Sequence, residues 1–526
     1  MLKIVRKLKI SHIFWVLFYL FLFGMLLRGS FSYLDPDLGW HLKVGEEISV
    51  SRQVPRINTY NYTYTGNWID HEWLSNLASY QIYNSFGYET LVVIFAVLII
   101  IVLVLLNIFV YKYGRNNYSL WLIATLQVFG ILASLPHFGV RMQELALLFI
   151  TPLLIIIYYF NKYKDWRLLI VLPFLFFLWA NLHASFLIGF FIIISWLFIK
   201  IAEKVFAKYN KIKIFDLSNK ITSKQITIFA GFSLLSVLAA CLTPYKLELF
   251  GFLGGYQNKA YLSLIQEWLP QYHYPFHYKQ LIYLALGLSA VSLYIYNKLR
   301  EKKGVEIWKI YLPLVLFILS LKSCRHFPLF FIVSFGLMTE VFGEQLIKIK
   351  IAYLNSIRAL IIFCLGLLVA LQFLTIKYFD NPFSSFCKNY PCQAINFLKD
   401  SPEYLDSKIL NSYGWGGFMN WVYPEKKTFI DGRLPQVEFA GHTFIQEYFS
   451  FFEDNGKQKD KLEFYDVHLV LIEARDKFEQ AKKWEQFLFG INNSRLIYRN
   501  YLREYLENSN DWEIIYQDKT AKIYFR

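Results

Sequence analysis

Apolar runs of 15 to 22 residues recur along the first three quarters of this chain. Each is long enough to cross about 30 Å of hydrocarbon at about 1.5 Å per residue. Lipid offers the backbone no water, so a run of that kind must satisfy its own N–H and C=O groups and folds as a helix. The expected spans are 13–30, 91–111, 118–135, 143–160, 168–182, 184–200, 225–243, 280–297, 309–321, 327–343 and 358–376, about eleven in all. The 50 Phe and 38 Tyr suit lipid-facing helices with interfacial aromatic belts better than a soluble core. The fold class is therefore mainly α, a polytopic membrane protein.

A net charge of +15 raises nucleic acid as a partner, so its location matters. From residue 377 onward 20 Lys/Arg stand against 22 Asp/Glu, and the excess lies in the short loops between spans. Basic residues beside a span are a topology signal and an attraction for anionic lipids, and nucleic-acid binding is unsupported. With the N-terminus in the cytoplasm, the cytoplasmic segments carry 24 Lys/Arg and the opposite loops, up to residue 376, carry 10. Because Lys and Arg resist translocation, this split places the protein as a multi-pass protein of the plasma (inner) membrane with its C-terminal part outside. The basic start (Lys3, Arg6, Lys7, Lys9) and long apolar core of the first segment read as a retained signal anchor.

Two domains are expected. Residues 1–376 form the membrane domain, with a long first outer loop at 31–90, and residues 377–526 form an extracytoplasmic α/β domain. In the latter, strands are expected near 408–412, 427–431, 467–472, 512–517 and 521–525, with helices near 415–422, 442–453 and 476–488. Cys387 and Cys392 bracket Lys-Asn-Tyr-Pro on the oxidising side, which allows a local disulfide without requiring it.

The first outer loop opens with Asp35-Pro36-Asp37-Leu38-Gly39-Trp40-His41. Pro36 keeps Asp35 out of the helical region, and two carboxylates this close can raise one pKa toward that of a working base or share a divalent cation such as Mg2+ or Mn2+. The bland alternative is an acidic cap on the next helix. A second cluster, Trp68-Ile69-Asp70-His71-Glu72-Trp73, sets acids and an imidazole between indoles that can face sugar rings; an interfacial amphipathic helix would read the same. Position 75 is Ser, so His71-Glu72 does not open a zinc HExxH motif. Arg141, Glu144, His183, Lys322, Arg325 and His326 stand at the outer ends of spans, on the side of Asp35 and Asp37. Ionisable groups there either snorkel to the interface or line a polar cavity.

A first span followed by an acidic pair, a long outer loop, some ten further spans and an outer C-terminal domain resembles the GT-C superfamily of integral membrane glycosyltransferases. That superfamily includes protein O-mannosyltransferases, aminoarabinose transferases and oligosaccharyltransferases. Asp35 to His41, His71-Glu72-Trp73-Leu74, Phe429-Ile430-Asp431-Gly432-Arg433 and Trp512-Glu513-Ile514-Ile515-Tyr516 are similar to uncharacterised bacterial members of that group. The resemblance implies a polyprenyl-phosphate-linked sugar as donor, an extracytoplasmic acceptor, and Asp37 or Asp35 as base or metal ligand. His41, His71, Glu72, Trp73, Arg141, Glu144, His183, Lys322, Arg325 and His326 would then bind substrate. In the O-mannosyltransferases the acidic pair is contiguous, whereas here a proline divides it. A transporter of lipid-linked saccharides, or a polymerase or ligase acting on them, is the alternative. Transport would predict two related halves with mid-membrane charges, and neither is seen in the sequence.

Overall fold

The computed structural model describes residues 10–113, 120–209, 221–254, 259–347, 354–375, 386–387, 389–439, 441–453, 456–475, 481–489 and 499–526. Among the described residues eight helices are long and apolar enough to cross a membrane: His12–Ser30, Trp73–Tyr111, Leu120–His137, Met142–Tyr163, Phe186–Val205, Ser223–Ala240, Tyr278–Arg300 and Cys324–Gln345. The count of eleven is not reached on that measure. The expected spans at 168–182, 309–321 and 358–376 do fall on helices, at Val171–Leu182, Ile307–Lys322 and Leu354–Leu374. The first two are shorter, at 12 and 16 residues. The boundary expected at 376/377 and the basic residues Lys3 to Lys9 lie outside the described residues.

The helix Trp73–Tyr113 runs for 41 residues, about 60 Å at the usual rise and twice what a bilayer needs. Gly87 divides it, at φ 81° and ψ 178°, a conformation that glycine reaches without strain. Gly87 thereby sets residues 73–86 apart as a separate helical piece. They pack beside the helix Leu38–Ser51, whose buried face is Leu38, Trp40, Leu42, Val44 and Ile48. The expected loop 31–90 is thus largely helical.

The C-terminal part contains a four-stranded sheet in the order Ile409–Asn411, Leu469–Glu473, Ala521–Phe525, Glu513–Gln517. The first pair is parallel and the other two are antiparallel. Apart from Asn411 and Glu473 at their ends, the parallel strands are apolar without alternation and buried along nearly their whole length, as strands covered on both faces must be, whereas Glu513–Gln517 is an exposed edge. The segment expected as a strand at 427–431 does not join this sheet. Thr428 instead makes an isolated bridge to Asn61 of the first outer loop, with Thr63 Oγ1 donating to the Phe429 carbonyl. The helix expected at 476–488 is seen as Lys483–Phe489, and residues 476–480 lie outside the described set. Cys387 and Cys392 are joined by a disulfide.

The C-terminal part and the segment 34–62 interlock. A side chain on Gly39 would collide with the carbonyl of Gly417, so the helices Leu38–Ser51 and Gly416–Val422 touch backbone to backbone. Tyr390 donates to the Leu34 carbonyl at 2.9 Å, and Tyr62 to that of Ile409 at 3.2 Å. The C-terminal part is thereby fixed against the acidic turn.

Candidate active site

The turn 35–37 is set by its own residues. The Asp37 N–H donates to Asp35 Oδ1 at 2.9 Å, and the other oxygen of Asp35 is held by Arg141 Nε. Both oxygens of Asp35 are thus engaged, and its charge is neutralised. Asp37 stands at the N-cap position of Leu38–Ser51 but makes no capping bond. Its carboxylate takes the indole N–H of Trp40 at 3.0 Å and packs so tightly on Gly432 that a Cβ there would strike it. Burial, and then the Asp35 charge, push the Asp37 carboxyl up to about 7, although the side chain keeps some exposure.

Arg141 is presented by the turn between Leu120–Ser134 and Leu145–Tyr163. Glu144 closes this turn by accepting the Gly139 N–H at 2.5 Å. Glu144 therefore shapes the turn. Arg141 bridges Asp35 to Glu267, 2.6 Å away, and Glu267 faces Arg325 at 3.6 Å. Burial would raise the Glu267 carboxyl, but Arg141 and Arg325 pull it down to about 2. The segment bearing Glu267 is tied to the turn at Ser323–Cys324, where Ser323 Oγ donates to the Glu267 carbonyl at 3.2 Å. Arg325 lies over the Trp268 ring, 4.9 Å from its centroid, and His326 lies against that ring's edge. The result is an alternating row, Asp35–Arg141–Glu267–Arg325, in which Arg141 Nη1 is buried without a hydrogen-bond partner among the described residues. Lys322 does not join it. It is exposed at the end of Ile307–Lys322, where its flexible stem reaches solvent.

A third group surrounds Glu72, which is 7% exposed. His183 Nε2 is 3.1 Å from Glu72 Oε1, His71 Nε2 is 3.5 Å from the same oxygen, and His41 Nε2 is 3.7 Å from Oε2. Burial holds His41 at about 3 and His71 at about 4, so both are neutral, and it raises Glu72 well above the carboxylate range. Asp70, itself pushed up to about 7 by burial, accepts both bonds of the Asn76 amide, and Asn76 Oδ1 then faces His41 Nδ1 at 2.6 Å. Trp73 is engaged elsewhere, donating to Asn181 at 3.0 Å.

A fourth set was not singled out as catalytic. Asp431 and Arg433 form a buried pair, and the guanidinium lies 4.3 Å from the Tyr60 ring centroid, 4.9 Å from Trp68 and 5.9 Å from Trp40. Sequence reasoning also missed Glu267, Asn76 and the packing of Gly432 on Asp37. The last joins residues nearly 400 positions apart, and no local pattern signals it.

No family model matches the chain, and no curated protein matches it. Among solved structures, it resembles the Archaeoglobus fulgidus oligosaccharyltransferase tethered to an acceptor peptide, with a TM-score of 0.49 and 12% identity, covering 88% of this chain and 69% of that one. The apo form of that protein gives 0.49 and 10%, covering 89% and 70%. Its complex, as AglB, with an inhibitory peptide and a dolichol-phosphate gives 0.47 and 11%, covering 87% and 69%. So distant a likeness transfers no residue role to this chain.

Proposed function

We propose that the protein is a membrane glycosyltransferase that moves a sugar from a polyprenyl-phosphate donor to an extracytoplasmic acceptor, with its N-terminus cytoplasmic and residues 377–526 outside. The observation that carries this reading is the meeting of a half-buried carboxyl at about 7 with a buried arginine that has a donor to spare. Displacing a lipid phosphate from an anomeric carbon needs those two functions. Asp37 takes the proton of the acceptor hydroxyl as its oxygen bonds to the anomeric carbon. The carbon–oxygen bond to the phosphate breaks, and the phosphate leaves with that electron pair. Arg141 Nη1 and Arg325 receive the charge, Arg being suited to phosphate through its planar fork. A single displacement by one base inverts the anomeric centre. Asp35 positions Asp37 through the Asp37 N–H, and the indoles of Trp40 and Trp68 bound the site. The acidic pair does not fit a cation as it stands, because Asp35 is already matched by Arg141, and no step is assigned to a metal there.

The test is transfer from a polyprenyl-phosphate sugar by Asp37→Asn in the full-length protein. General-base assistance is worth about 10²–10⁴ in rate, so turnover should fall by that factor with donor binding intact. Near-normal transfer would remove Asp37 from the chemistry and make Asp70 or Glu72 the acid to examine.

A further inference from the structure

We infer that the helix Lys483–Phe489 of the C-terminal part is a membrane-surface anchor, seated in the interfacial layer of a phospholipid bilayer beside the span Tyr278–Arg300. This short helix hides its carboxylate and shows its rings. Glu485 is 5% exposed, with Oε1 accepting from the Tyr278 hydroxyl at 2.8 Å and Oε2 from the Lys482 N–H at 2.6 Å. Phe487 is 85% exposed, and Trp484, Leu488 and Phe489 are exposed with it. A helix facing water does the opposite, burying its apolar side chains and leaving its glutamate outside. A single exposed apolar residue is ordinary, but four on one short helix make a patch that needs a cover.

The neighbouring span says what that cover is. Tyr278 opens the span, and its ring lies 5.3 Å from that of Trp484, centroid to centroid. Phe276, just ahead of it, meets the Phe489 ring at 4.9 Å. Tyr278 stands one helical turn before Ile282, so the two share a face. Ile282 and, about four turns further on, Tyr296 are exposed along that face, as side chains are on the lipid side of a crossing helix. The patch therefore prolongs the lipid-facing surface past the end of the span, at the depth where Trp and Tyr collect. Lys279, Lys482 and Lys483 are exposed around it, placed to reach lipid phosphates while the rings go deeper. Rings on one side and lysines at the rim fit a bilayer surface. The inference goes beyond the transferase reading and does not require it.

The experiment reads lipid contact without reading transfer. Full-length wild type is placed one chain to a nanodisc of phosphatidylcholine and phosphatidylglycerol in equal parts, and footprinted with hydroxyl radicals. Phe464, 73% exposed on the helix Gln458–Phe464 of the same C-terminal part, is the reference. Facing water, the two phenylalanines would be oxidised at similar rates. We expect Phe487 to be modified several-fold less than Phe464. A polarity-sensitive dye on Phe487→Cys, with Cys364→Ser removing the exposed thiol, should be quenched by nitroxide-bearing lipids and spared by aqueous iodide. The same dye on Phe464→Cys should show the reverse. Equal oxidation of Phe487 and Phe464 overturns the anchor even if the labelled variants fold poorly, and it is the outcome expected if the patch binds a second copy, absent from each disc. Protection of Phe487 without nitroxide quenching also overturns it, because protein rather than lipid would then cover the patch.

Discussion

Two loops of this protein each carry an aspartate and depend on an arginine, and they do opposite things with it. In Asp431-Gly432-Arg433 every carboxylate oxygen is used. Oδ1 accepts the backbone N–H and Nε of Arg433 at 2.9 and 3.0 Å, and Oδ2 accepts Arg433 Nη2 at 2.5 Å and the Asn420 amide at 2.8 Å. Burial would raise the Asp431 carboxyl, yet Arg433 holds it below its ordinary value. In Asp35-Pro36-Asp37 the arginine goes to the first aspartate and leaves the second with a single indole donor and a pKa of about 7. A buried carboxylate whose acceptor positions are all used fixes a structure, and one left with a single donor stores reactivity. Trp40 connects the two, giving its N–H to Asp37 and its ring face to Arg433. The rigid loop thus holds a wall of the reactive one.

The same substitution in both loops tests that contrast. Asp431→Asn leaves Arg433 buried without its counter-charge, a change that typically costs about 3–5 kcal/mol. Denaturation of the purified variant should show a loss on that scale, with the C-terminal part the first to become protease-sensitive. A stability loss under about 1 kcal/mol would mean that the three aromatic rings alone hold Arg433 and that the pair is no structural staple.

Asp37→Asn should act in the other direction on stability, with a pH signature. Between about pH 4 and 7 the folded state keeps a proton on Asp37 that the unfolded chain has released, so stability falls as pH rises through this window. Removing the carboxylate should therefore make the variant more stable than wild type at pH 8, by something on the order of 1–2 kcal/mol after allowing for partial exposure. The difference should vanish near pH 4, where both side chains are neutral. Thermal unfolding at the two pH values measures it, and equal stability at pH 8 would show that Asp37 is ordinarily solvated.

Much of this architecture is legible in the sequence because lipid allows so few alternatives. Apolar length alone finds the helices, and acidic residues next to a span stand out against it. The expected residues Asp35, Asp37, Arg141 and Arg325 do come to one region, and His41, His71, Glu72 and His183 to another. Glu267 was missed because a single glutamate in an aromatic-rich loop has no local signature; its significance comes from Arg141, over 120 residues away. The segment 427–431 has the β-branched and aromatic composition of a strand, but its edge is taken by Asn61 and Thr63 of the first outer loop. Local propensity cannot foresee a partner from another part of the chain. Lys322 and Arg325 look equivalent in sequence, yet only Arg325 turns toward Glu267, because the turn at Ser323–Cys324 is pinned to that segment.

The smallest expected effect separates charge from shape at that last position. Arg325 is 32% exposed, stacks over Trp268 and faces Glu267 at 3.6 Å, which is looser than the contact of Arg141 with the same glutamate. It is thus the more accessible cation of the row and can turn toward a phosphate while Arg141 stays in place. Arg325→Lys keeps the charge and most of the reach but loses the planar fork and the stacking on the indole. The pair with Glu267 is partly solvated, so stability should change by less than about 1 kcal/mol. Losing one bidentate contact should cost about 1.4 kcal/mol in donor binding, a tenfold rise in the dissociation constant. Titrating a polyprenyl phosphate into wild type and Arg325→Lys and following binding by tryptophan fluorescence would read this directly. A variant that binds the lipid as wild type does, while keeping its stability, would confine Arg325 to holding the Glu267 segment and leave Arg141 as the phosphate ligand of the row.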